Sequence, residues 1–419
     1  MKGGVAVAVV VLIAGCGRRP LEYGASGAGS GSAGAAAGPG AGGASGSPDE
    51  VGCLPSSALV TCGPAPIDAT RVKSFALGAS DTEVGLSWIE ENDEGDTWLS
   101  FSRLSPHLEL AGTVALDDTR QPGPVSRGAL AGTAVASLAS RWVVAVCGLP
   151  QIFIETLDAT GMLVGRTVVS YATETVGACI SGTPALAARP GGGALMAWET
   201  SDGGVQIAMI AADGLSVGAP QTIITDVPFA DTPAAAWIGD AFYVVSAVSA
   251  STGGLARALR IVRITPDGSA TTIGDILAGQ ARDAPGVAVG ASDLRVGFEG
   301  TMPPSDADPT AADSGVFWQE LGLTGQALTP VVTLGRYPYW GRPAAVAFDG
   351  DAVILIGGFN GQLGLVRVAS DGEIVTPLTS FFAAPATTAG PYALVRIGAE
   401  VVAGWAPPYG GLGLARLAP

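Results

Sequence analysis

Beyond residue 50 the apolar positions of this chain fall into short runs separated by turn residues, and the runs recur. One kind is rich in small side chains and is introduced by proline: TPALAA at 183, TPAAAW at 232, APGVAV at 284, RPAAVA at 342 and GPYALV at 390. The prolines at 184, 233, 285, 343 and 391 are 49, 52, 58 and 48 residues apart. Each run leads through a Gly or Asp turn into alternating β-branched or aromatic residues: GGALMAW, DAFYVVSAV, DLRVGF, DAVILIGG and AEVVAGW. Upstream, VKSFALGASDTEVGLSW and TAVASLASRWVVAVC fit the same template without the proline. Such alternation marks β-strands with one buried face.

A second marker keeps the same period. The turns LDATG, IAADG, ITPDG, LGLTG and VASDG place glycines at 161, 214, 268, 325 and 372, which are 53, 54, 57 and 47 residues apart. Glycine accepts the positive φ of a tight hairpin, so these are turns between paired strands. Two markers sharing a period near 50 predict units of four short antiparallel strands, A to D. Helical periodicity is almost absent.

Four-stranded units of this length resemble the blades of a β-propeller. The resemblance implies an all-β ring whose A strands line a crowded axis, which suits ALAA, AAA, GVAV and AAV. Starts near 67, 130, 184, 233, 285, 343 and 391 give seven blades. The seventh ends at LGLARLAP, where the others make their C–D turn, so its outer strand is expected from the N-terminal segment, SSALVTC at 56–62. Closure of that kind would protect an open sheet edge. A pair of β-sandwich domains is the alternative architecture, and it has no need of small inner strands.

The first fifteen residues read as a signal peptide: Lys2, then an apolar run from Val5 to Ile13 that is too short to span a bilayer. Ile13-Ala14-Gly15-Cys16 resembles the bacterial lipobox. That resemblance implies cleavage before Cys16, a diacylglycerol thioether on its sulfur and an acylated amine. Gly17 rather than Asp after the cysteine points, by analogy with lipoprotein sorting, to the outer membrane. An ordinary secretory peptide with an accidental cysteine is the alternative. Residues 16–50 then form a lipidated Gly/Ala/Ser tether without apolar periodicity, and residues 51–419 form the propeller domain.

The net charge of −16, with Lys2 and Lys73 as the only lysines, argues against nucleic acid as a partner. The remaining cysteines, Cys53, Cys62, Cys147 and Cys179, are an even set in an exported chain and suggest two disulfides. Three pairings are possible; the blade assignment favours Cys147 with Cys179 and Cys53 with Cys62.

Alternate connections of a four-stranded blade share a face, so the B–C turns and D–A connections lie together. The irregular insertions fall there, among them NDEGDT at 92, GTMPPSDADPTAADSG at 300 and LGRYPYWGRP at 334. ENDEGDTW at 91–98 resembles the Asp-box of sialidases, a structural turn away from the active site; here it occurs once, between B and C, and reads as a hairpin turn. Asp93, Asp96, Asp306, Asp308 and Asp313 are candidate calcium ligands, though neither loop has EF-hand spacing. Arg336, Tyr337, Tyr339, Trp340 and Arg342 are the candidate ligand-binding cluster: aromatic faces stack on sugars or peptide groups, and arginine reaches carboxylates. Packing between blades is the alternative role for Trp340.

His107, the single histidine, is expected in the C–D turn of blade 1, away from this face. No Ser-His-Asp constellation, His-rich metal site or phosphate-cradling loop is evident. These features point to a lipid-anchored exported protein that binds or scaffolds at the cell envelope, with a protein or glycan ligand. A sialidase-like hydrolase or a lyase acting on glycans is the alternative, as is an assembly component docking through a broad apolar patch.

Overall fold

The computed structural model describes Ile13–Ala14, Val60–Cys62 and residues 71–417 except 106, 119–129, 149–150, 172–182, 228, 231, 250–256, 282–284, 291, 303–312, 337–342, 359–361, 384–390 and 407–410. Every regular element among them is a β-strand.

Seven four-stranded antiparallel blades follow one another along the chain, the fourth and fifth joined into one sheet by the pairing of Ala281 with Gly300. In order A to D, blade 1 is Val72–Ala79, Val84–Glu91, Thr97–Leu104 and Leu110–Asp118, and blade 2 is Leu130–Leu138, Arg141–Gly148, Gln151–Asp158 and Leu163–Tyr171. Blade 3 is Ala185–Ala188, Ala194–Glu199, Val205–Ile210 and Gln221–Ile224. Blade 4 is Ala234–Ile238, Ala241–Ser249, Arg257–Ile264 and Ala270–Ala281, with Phe229–Ala230 as a short extension of its first strand. Blade 5 is Gly286–Val289, Asp293–Met302, Asp313–Gly322 and Val332–Arg336, and blade 6 is Ala344–Phe348, Asp351–Gly357, Gln362–Val368 and Ile374–Ala383. Blade 7 takes Tyr392–Ile397, Glu400–Trp405 and Gly413–Leu417 from the C-terminus. Its fourth strand is Val60–Cys62, with Val60 opposite Leu417 and Cys62 opposite Ala415. The expected closure by the N-terminal segment is therefore present at residues 60–62, the rest of the expected stretch, 56–59, lying outside the described residues. The five marker prolines each stand one residue before an inner strand.

The A strands touch in cyclic order, blade 1 to blade 7 and back to blade 1, so the chain is a seven-bladed β-propeller and not a pair of sandwiches. Small side chains permit this crowding. On strand A of blade 1, a Cβ at Gly78 would lie 2.6 Å from the Val135 carbonyl of blade 2. On strand A of blade 5, a Cβ at Gly286 would collide with the Pro343 carbonyl at the start of blade 6. Between blades the core is continuous: one cluster runs from Phe348 in blade 6 through Val395 in blade 7 to Leu77 in blade 1. At the same junction Arg416 lies 3.3 Å from His107, which sits in the C–D turn of blade 1 as expected.

Ile13 and Ala14, the first two residues of the lipobox-like stretch, pair with Ala393 and Tyr392 along the free edge of strand A in blade 7.

The predicted C–D turns share one construction. Gly161, Gly214, Gly268, Gly325 and Gly372 have φ between +70° and +90°, and each donates to the carbonyl three residues back. That is a type I turn completed by a left-handed glycine. A further repeat emerges only in three dimensions. A carboxylate at the start of strand B meets an arginine near the end of strand C in Glu83–Arg103, Asp240–Arg263, Asp351–Arg367 and Glu400–Arg416. These ion pairs stand at the A–B/C–D end of their blades and tie the two central strands together.

Candidate functional site

Several expected site residues lie outside the described residues: Cys16, Cys53, Cys179, Asp306, Asp308, Tyr337, Tyr339, Trp340 and Arg342. Arg336 is exposed at the last position of strand D in blade 5, with its backbone opposite Gly315. Asp313 opens strand C of the same blade, opposite Met302.

The acidic stretch of blade 1 is the B–C hairpin. Asn92 and Gly95 close it with the hydrogen-bond pattern of the C–D turns, and Gly95 has a φ of 84°. Asn92 Oδ1 accepts from the Asp96 amide at 2.8 Å, and the Asn92 amide group donates to Asp96 Oδ2 at 3.3 Å. Asp93 is exposed at the tip. Asp96 is therefore engaged in holding the turn. Among the described residues, no three His, Cys, Asp or Glu side chains are grouped as a metal site.

Cys147 is fully buried near the end of strand B in blade 2 and is disulfide-bonded. Cys62 lies on the closing strand, opposite Ala415.

The described residues form a groove of about 500 Å³ at the flank of the ring, between the outer strands of blades 3 and 4. Its walls are Ile223, Thr225 and Asp226 from blade 3 and Arg260, Thr272 and Asp275 from blade 4, with Gly274 in the floor. Such a volume suits a small ligand. Arg260 stands in the middle of strand C, between Arg257 and Arg263 near the strand's two ends, and its side chain is only 11% exposed. A charge so placed needs partners to offset the lost hydration.

Asp275, directly across on strand D, provides a bidentate grip: Arg260 Nε donates to Oδ1 at 2.6 Å and Nη2 to Oδ2 at 2.8 Å. Nη1 donates to Asp226, which belongs to the D–A connection of the preceding blade. The hydrogen bond that Arg260 donates to Asp275 is the largest cause that raises the guanidinium pKa further above its already high value. Three of five N–H groups are used in these bonds. The site thus offers guanidinium donors, carboxylate acceptors and two hydroxyls within one concavity.

Blade 2 builds the mirror of this pairing. Glu155 on strand C, fully buried, accepts from Arg166 on strand D at 2.6 Å, and Arg166 stacks over Phe153 with 4.4 Å to the ring centre. The groove between blades 3 and 4 was not anticipated from the sequence, where the candidates fell on the B–C/D–A face. Its signal was faint: Arg260 is one of three arginines at 257, 260 and 263 in RALRIVRI, and nothing in the run singles out the middle one.

No family model and no curated protein sequence matches the chain. Solved structures do resemble it. The BP39L lectin from Burkholderia pseudomallei superposes with a TM-score of 0.52 at 14% identity, covering 82% of this chain and 98% of the lectin. The β-propeller domain of the Trilobed protease from Pyrococcus furiosus gives 0.47 at 9% identity, covering 86% and 96%. The GH43 endo-arabinanase from Bacillus licheniformis gives 0.33 at 10%, covering 56% and 92%. At these identities the lectin likeness speaks for the fold alone.

Proposed function

We propose that this protein is an exported, lipid-anchored β-propeller of the cell envelope that binds a hydroxyl-rich ligand, of which a glycan is the simplest. The lipobox-like Ile13-Ala14-Gly15-Cys16 supports the anchoring, with Cys16 as the attachment point and the outer membrane as its destination. Pairing of Cys147 with Cys179 and of Cys53 with Cys62 suits such an exported chain.

The observation that carries the binding role is Arg260, clamped between Asp275 and Asp226 inside a groove lined by Thr225 and Thr272. The two carboxylates orient the guanidinium, so its remaining N–H groups are held ready for a ligand and little side-chain entropy is lost on binding. Binding is favoured over cleavage because both carboxylates are engaged as acceptors by Arg260. Hydrolysis of a glycosidic bond needs one carboxyl that carries a proton.

Glycan and peptide arrays probed with the full mature chain test this. Arg260→Ala removes the clamp and is expected to lower the affinity of any hit at least tenfold, whereas Trp340→Ala reads the contribution of the aromatic connection. A ligand bound equally by the wild type and Arg260→Ala, or released as cleaved product, overturns the reading.

A further inference from the structure

The seven large apolar side chains that stand exposed among the described residues are not scattered. Leu110 opens strand D of blade 1, and Met162, Leu163 and Val164 span the C–D turn and first D positions of blade 2. Leu328 lies in the C–D connection of blade 5, and Ile374 and Val375 open strand D of blade 6. All seven therefore belong to the A–B/C–D face, opposite the acidic hairpin of blade 1. They are half exposed, Met162 the most at 59%.

Their order around the ring is 5, 6, 1 and 2, so they flank blade 7 on both sides. The C–D turns of blades 3 and 4, farthest from blade 7, contribute none of them. At blade 7 the C–D position is where the closing strand arrives. Val60 faces Leu417, the last position of strand C, so the chain preceding residue 60 joins the body on this same face.

We infer that this apolar arc is a membrane-contact surface, which seats the propeller with its A–B/C–D face on the lipid that carries the anchor. The inference rests on the lipoprotein reading of Cys16. The 44 residues from Cys16 to Val60 have a root-mean-square reach of roughly 35 Å if flexible. That length confines the arc to the neighbourhood of the bilayer, and at such effective concentration a weak apolar contact is enough to orient the body. Ile13 and Ala14, paired at the far end of strand A, lie before the cleavage point, so the mature chain retains only the attachment at the closing strand.

The chemistry of the face favours lipid over a protein partner. The apolar side chains project in groups of one to three from hairpins on four different blades, a form suited to insertion into a soft interface. Most arginines around them are tied to carboxylates, Arg103 to Glu83, Arg367 to Asp351 and Arg416 to Glu400, and Arg141 donates to the Asp213 carbonyl. The contact is therefore carried by apolar surface and is insensitive to salt, unlike a basic patch on an anionic surface.

The test reconstitutes the full lipidated chain in vesicles containing a diazirine-bearing phospholipid and maps the cross-links by mass spectrometry. Cross-links are expected on residues 158–164 and 371–376, several-fold over the B–C turns at 92–96 and 200–204, at low and high salt alike. Replacing Met162, Leu163, Val164, Ile374 and Val375 together by Ser should erase that excess without changing the circular dichroism spectrum. The mass of the N-terminal peptide separates the two layers of the argument. An unmodified Cys16 overturns the anchoring and the arc with it. A lipidated Cys16 with cross-links on the B–C turns, on both faces equally, or on neither overturns the arc alone.

Discussion

Replacing Glu320 by Gln should remove a specific pH dependence from the stability of the fold. Glu320 stands on strand C of blade 5 opposite Arg295 on strand B, and each side chain is only 4% exposed. Arg295 Nε donates to Asp293 at 2.7 Å; it also lies 3.0 Å from Glu320 Oε1, but that oxygen receives no aligned hydrogen bond. Two carboxylates thus compete for one guanidinium, and Asp293 holds it. Burial pushes the Glu320 carboxyl from its ordinary 4.5 up to about 7, Asp293 and Asp371 adding to the rise and Arg295 opposing it.

A native pKa above the unfolded value means that the native state keeps a proton which the unfolded chain releases. Stability from this group is therefore complete below pH 4.5 and declines as pH rises through 7. The interval between the two values corresponds to roughly 3 kcal/mol. Glutamine keeps the shape and cannot ionise. Urea unfolding at pH 4.5, 6 and 8 should show the wild type losing roughly 3 kcal/mol more than Glu320→Gln across that range, since other groups cancel in the comparison. Asp293→Asn gives a second reading: it frees Arg295 for Glu320, lowers the carboxyl and flattens the slope. Parallel pH curves for the wild type and Glu320→Gln would refute the reasoning.

Three further outcomes follow from the ring. Thr61→Pro, opposite Arg416 in the closing strand, disrupts the last ladder and should cost about 2 kcal/mol or more, read as a lower urea midpoint; an unchanged midpoint would mean that residues 60–62 do not close the ring in solution. Gly286→Ala drives a methyl group into the Pro343 carbonyl and should destabilise by about 1–3 kcal/mol. Gly274→Ala, with nothing within 4 Å of the new methyl, should leave the unfolding midpoint within about 0.5 kcal/mol of wild type.

The architecture was readable because its constraints are local and repeated. Each inner strand must be small to fit against its neighbours, and each hairpin glycine must accept positive φ, so Pro184 and Gly161 have counterparts in blade after blade. Closure was readable from the missing fourth strand of blade 7 and the unassigned run SSALVTC at 56–62. The groove was not, because Arg260 and Asp226 are 34 positions apart in different blades and meet only when two sheets pack. Arg295 and Glu320 escaped for a related reason: charged residues on a strand pattern read as a solvent-facing row, whereas both are buried here, with Asp371 of the next blade near enough to raise the Glu320 pKa. The diagonal ion pairs recur as faithfully as the glycines, but their two members sit in different strands and switch polarity in blade 5, which hides the period.

The outer ribbon of blade 7 also sets an order of events during synthesis. Val60–Cys62 leaves the ribosome before every other strand of the body, and its mate, Gly413–Leu417, leaves it after all the others. No nascent chain that stops short of Gly413–Leu417 can shut the circle, and contacts of such separation form slowly. A chain truncated before Gly413, or one cut just after Cys62, would leave an opened circle with a bare outer edge in blade 7.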